Sequence, residues 1–106
     1  MNGGTSARLL PWAGSEGKPC ILVTDGTGPL SKVADTVESV QLGMAADLLG
    51  HAAELMADHR ATSAQLRFVL ARMREALTDV HRIAASRGAR LAERTGIRAA
   101  GPGSPS

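Results

Sequence analysis

The groups in this 106-residue chain best able to do chemistry are its arginines. Arg67, Arg74 and Arg82 fall seven and eight apart, and Arg87, Arg90, Arg94 and Arg98 recur every three or four, so on a helix they draw a basic line. Phosphate binding needs little more than such a line. Base readout or stacking on single strands needs amide or aromatic groups between the cations, and this half offers Gln65. Arg82, Arg87, Arg90 and Arg94 are therefore the candidate nucleic-acid contacts, held as the second reading behind a charged face that is solvated or complements a neighbouring helix.

The remaining reactive groups point away from catalysis. His51 and His59 stand eight apart, whereas ligand pairs on one helix want three or four, and His81 belongs to a different segment. Cys20 is the single cysteine, so an intrachain disulfide is impossible and it reads as a small buried hydrophobe. Gly26, Thr27 and Gly28 precede a helix start and could offer N–H groups to an anion. Asp25 opposes that use and no P-loop spacing follows, so a turn and helix cap is the better reading. Neither a Ser-His-Asp set nor a carboxylate pair stands at a credible spacing. The expectation is no catalytic residue, no cofactor and no metal.

Two apolar stripes must position whatever function remains. From Leu30 the residues Val33, Val37, Val40, Met44, Leu48, Ala52 and Leu55 follow at steps of three and four, predicting a helix over 30–57. Gly43 and Gly50 within it suggest close approach of a neighbouring helix. After a short connection, Leu66, Val69, Met73, Leu77, Val80 and Ala84 repeat the pattern over 62–87, with Thr62 or Ser63 as cap and Gly88 as stop. A connection this short makes the helices antiparallel. Upstream, two extended pieces around the Gly14–Lys18 loop predict a β-ribbon over 8–24, anchored on the helices by Trp12 and Ile21. Residues 1–7 read as a tail, and 92–106 as a flexible basic and then Gly/Pro/Ser-rich tail. The fold class is mainly α: a two-helix antiparallel hairpin with a short N-terminal β-hairpin, as one domain over 8–91.

Composition narrows the class further. The formal charge of +2 divides into −4 over residues 1–59 and +6 over 60–106, so folding back near residue 60 lays an acidic helix beside a basic one. Pairs such as Asp47 or Glu54 with Arg67, Arg72 or Arg74 become plausible. No apolar run suits a bilayer and no apolar h-region precedes a cleavage site, which predicts a cytoplasmic protein. Aromatic residues are 2% of the chain, namely Trp12 and Phe68, which disfavours base stacking and suits helix-on-helix contact.

Ile21-Leu22-Val23-Thr24-Asp25-Gly26-Thr27 resembles the strand end of haloacid-dehalogenase phosphatases, Asp-x-Asp-Gly-Thr. The nucleophilic Asp of that pattern falls at Val23, so the resemblance implies no phosphotransfer. Over residues 8–91 the runs Leu9-Leu10-Pro11-Trp12, Glu16-Gly17-Lys18-Pro19-Cys20, Val40-Gln41-Leu42-Gly43-Met44 and Glu75-Ala76-Leu77 are similar to a group of small actinobacterial proteins of the Streptomyces type. That resemblance implies an origin and supplies no activity or site residue.

Two helices cannot enclose a core, so each stripe leaves apolar surface over. The expectation is a non-catalytic protein-interaction or regulatory module that self-associates as a homodimer, making a four-helix bundle. Trp12, Leu48, Leu70 and Ile83 are the candidate interaction surface.

Overall fold

The computed structural model describes residues 5–95. Strands β1 (Ser6–Ala13) and β2 (Pro19–Thr24) pair antiparallel, with Ser6 opposite Thr24, Arg8 opposite Leu22 and Leu9 opposite Ile21. A single 3-10 turn, Ser15–Gly17, joins them, with Glu16 in the left-handed region at φ 57°. Helix α1 (Pro29–Ala57) follows Gly28; Pro29 sits in its first turn, where a missing N–H leaves no bond unmade. Helix α2 (Ser63–Thr95) runs back beside it. The mainly α hairpin with its N-terminal ribbon is the predicted fold.

The turn between the helices is specified locally. Asp58 Oδ1 accepts from the backbone N–H of Arg60 at 2.9 Å, and Thr62 Oγ1 accepts from the N–H of Gln65 at 3.1 Å. Gln65 Oε1 returns the bond to the Thr62 N–H at 2.8 Å, which completes a capping box.

Four expectations need correction. Gly88 does not stop the second helix, which continues to Thr95. An internal Gly costs about 1 kcal/mol. Contacts of Arg87 and Arg90 with Glu38, on either side of it, oppose that cost. Ser6 and Ala7 belong to β1 and Ala92–Thr95 to α2, while residues 1–4 and 96–106 lie outside the described residues. A Cβ built at Gly43 or Gly50 meets nothing within 4 Å, so neither marks a close helix approach within the chain.

The fourth correction concerns phase. Val33, Val40 and Met44 are exposed, and the buried positions in the first half of α1 are Ser31, Ala34 and Glu38. The inward face there is one of small and polar groups, set by a ribbon that presents an arginine to it. Ile21 is likewise no anchor: pairing with Leu9 turns it to the outer side of the ribbon, where it and Val23 are exposed, while Arg8 and Leu10 are buried.

Candidate interaction surface

The ribbon is fastened to the open end of the hairpin by polar groups. Arg8, 5% exposed, donates from Nη1 to the Ser31 carbonyl at 3.2 Å and from Nη2 to Asp35 at 2.7 Å and Glu38 at 3.2 Å. Glu38, 1% exposed, also receives Arg87 at 3.0 Å and Arg90 at 3.8 Å. Burial and the neighbouring Arg8 cation lower the Arg90 pKa from its ordinary value, and the Glu38 carboxylate partly opposes them.

Between Leu9 and Ala13 the strand pairing shifts register, and the helices supply the donors there. Gln41 Nε2 donates to the Pro11 carbonyl at 2.9 Å, Arg82 Nη1 to the same oxygen at 3.4 Å, and Ser86 Oγ to the Leu9 carbonyl at 2.8 Å. Carbonyls left over by an irregular ladder are thereby satisfied.

This junction uses three of the four arginines expected as nucleic-acid contacts. Arg87 and Arg90 hold Glu38, while Arg82 holds the Pro11 carbonyl and Asp79. Arg94 is exposed. The expected flanking pairs of Asp47 or Glu54 with Arg67, Arg72 or Arg74 are absent among the described residues; Arg72 instead meets Glu75 one turn along its own helix, at 3.1 Å.

Below the ribbon the two flanks of the hairpin differ in chemistry. One flank carries a mixed groove of about 330 Å³, where Gln41, Asp47, His51, Arg72, Glu75 and Asp79 stand among Met44, Leu48 and Ala76; past His51 it meets Leu55 and the exposed Phe68. No group of three or more metal-ligating side chains occurs among the described residues. The other flank carries a groove of about 390 Å³ whose walls are Ala45, Leu48, Leu49, Leu70, Met73 and Leu77. It continues past Leu70 and Met73 to Met56 and Leu66. Leu70 and Leu77 are each 69% exposed and Met56 is 82% exposed. Arg67 and Arg74 are the charged groups lining it.

Of the predicted surface residues, Leu70 stands on this apolar flank. Leu48 lies in the seam and lines the grooves on both flanks. Trp12 is half-buried at the far end of β1. Ile83 is 3% exposed and cannot meet a partner; it fills the inward phase of α2 with Val69. Sequence reasoning missed Leu49 and Met56, and put Leu66 and Leu77 in the seam rather than beside it. A second 3–4 series, Leu66, Leu70, Met73, Leu77 and Val80, was the available signal: two overlapping stripes on one helix ask for two neighbours.

Comparisons with protein-family models, with curated proteins and with solved structures give no match. No helix among the described residues is long and apolar enough to cross a membrane.

Proposed function

We propose that this chain is a non-catalytic interaction module that works as a homodimer, two hairpins closing a four-helix bundle through their apolar flanks. The observation that carries this reading is an inverted apolar balance. The buried hydrophobic side chains are Leu10, Ala34, Ala52, Val69 and Ile83, while leucines and methionines line an open groove. Leu49, Met56, Leu66, Leu70 and Leu77 together expose roughly 600 Å² per copy, which approaches the ~800 Å² that each partner of a stable pair buries. A patch of this size on a small chain is the mark of a contact surface. The nucleic-acid reading loses support because Arg82, Arg87 and Arg90 already bind groups of the chain itself.

Sedimentation tests the proposal. The wild-type chain is expected at about twice its 10.9 kDa mass at micromolar concentration. Leu70→Glu with Leu77→Glu is expected to weaken association at least about 100-fold with helicity kept, because two carboxylates would enter a dry seam. A wild-type monomer with a cooperative melt at high micromolar concentration overturns the reading.

A further inference from the structure

The two walls of the apolar groove are unlike each other, and the difference selects one way of pairing. The α2 wall is bulky and basic: Leu66, Arg67, Leu70, Arg74 and Leu77. The α1 wall is uncharged: Ala45, Leu48, Leu49, Ala52, Leu55 and Met56. Beyond the groove, α1 carries Asp35, Glu38, Asp47 and Glu54 against Lys32, whereas α2 carries seven arginines against Glu75, Asp79 and Glu93.

Two copies meeting face to face can be related by a two-fold axis across the hairpins or along them. An axis across sets α2 on the partner's α2, with bulky side on bulky side. Arg67 and Arg74 then approach another basic helix at the 8–10 Å of packed helices, a distance that salt at physiological strength screens only in part. An axis along the hairpin sets each α2 on the partner's α1, so Arg67 and Arg74 lie over a wall that carries no cation.

We infer that the hairpins pair about an axis along their length, each α1 lying on the partner's α2, with both ribbons at one end of the bundle and both interhelical turns at the other. This rests on the homodimer proposed above. The occupant is a second copy because the exposed apolar area is of the order that each partner of a pair buries and because the two arginines of the α2 wall find a wall without cations on α1.

A single spin label separates the outcomes. Cys20→Ser with Lys32→Cys places one label on the exposed first turn of α1 in each copy, and pulsed dipolar spectroscopy reads the distance between them. Pairing along the axis sets both labels at the same end and is expected to give a separation below about 30 Å, the spacing of helices within one bundle. The alternative axis crosses the groove near Ala52 and Leu70 and puts the labels at opposite ends, roughly 55 Å apart at 1.5 Å per helical residue. A dimer by sedimentation with the long distance overturns this arrangement and leaves the homodimer standing. A monomer without dipolar coupling overturns both, and directs attention to a different occupant of the groove.

Discussion

The open end of the hairpin and the half nearer its turn are built on opposite terms. At the open end the buried side chains include Arg8, Ser31, Glu38 and Ser86, and the ribbon is held there by ion pairs and by donors aimed at strand carbonyls. Toward the turn the buried side chains are Ala52 and Val69, and the leucines around them are exposed. The open end is held together by polar contacts within the chain, while Ile21, Val23, Val33 and Val40 stay exposed there. The turn half leaves Leu49, Met56, Leu66, Leu70 and Leu77 exposed. Charge therefore sets the internal register of this protein, and the hydrophobic area left over is the contact surface proposed above, a division consistent with ion pairs specifying geometry more than stability.

The contrast can be broken from its polar side. Glu38→Gln takes the buried carboxylate from Arg8, Arg87 and Arg90 and leaves Arg8 with the exposed Asp35 alone, and it is expected to cost about 3 kcal/mol in thermal or urea unfolding. Association of the folded fraction should persist, because the groove residues lie elsewhere. Replacing both, Arg8→Leu with Glu38→Leu, should recover much of that loss, since the arginines that then lose Glu38 are Arg87 and Arg90, which reach solvent. A Glu38→Gln protein as stable as wild type would show that the network holds nothing. The Leu70 and Leu77 carboxylate substitutions make the converse test, abolishing assembly with the Arg8–Glu38 contact intact.

Smaller changes sharpen the comparison. Thr62→Ala removes the capping box at the turn and should cost about 1 kcal/mol, read by chemical denaturation. It should leave the signals of the ribbon unmoved.

The smallest effect concerns the loop entering α1. Asp25 Oδ1 accepts from the Thr27 hydroxyl at 2.7 Å and from its N–H at 3.0 Å, and these bonds hold the carboxyl below its ordinary 3.8. A carboxylate with a depressed pKa adds its stability above the unfolded value and loses it as pH falls through the folded one. An NMR titration should place the Asp25 midpoint below 3.8, and Thr27→Val should move it up.

Much of this architecture was legible in the residues. Steps of three and four gave both helices, and Thr62 or Ser63 as cap marked the second start. What escaped was phase and pairing. In the first half of α1 the inward row is Ser31, Ala34 and Glu38, and a search for apolar periodicity passes over a polar row and selects Val33 and Val40 beside it. Only the arginine at position 8, 30 residues away, makes that row sensible. Gly88 looked like a stop because its local cost is visible in sequence, whereas the contacts of Arg87 and Arg90 that oppose it are tertiary. Ile21 looked like an anchor because it is apolar, but strand parity ties its direction to Leu9 and thus away from Arg8. The apolar flank was half legible: Leu70 was singled out, while Ile83 belonged to the other of two overlapping stripes.

The hydrogen bonds that fix β1 to α2 reach from Pro11 to Arg82 and from Leu9 to Ser86, spans of 71 and 77 residues. Synthesis begins at the other end of those spans. A two-stranded ribbon is marginal by itself in water, and the α2 donors it leans on leave the ribosome only after α1 and most of α2. The ribbon is thus translated before both helices and completes its set of partners after them, while the helical hairpin, closed by a turn of a few residues, has everything it needs close by in sequence.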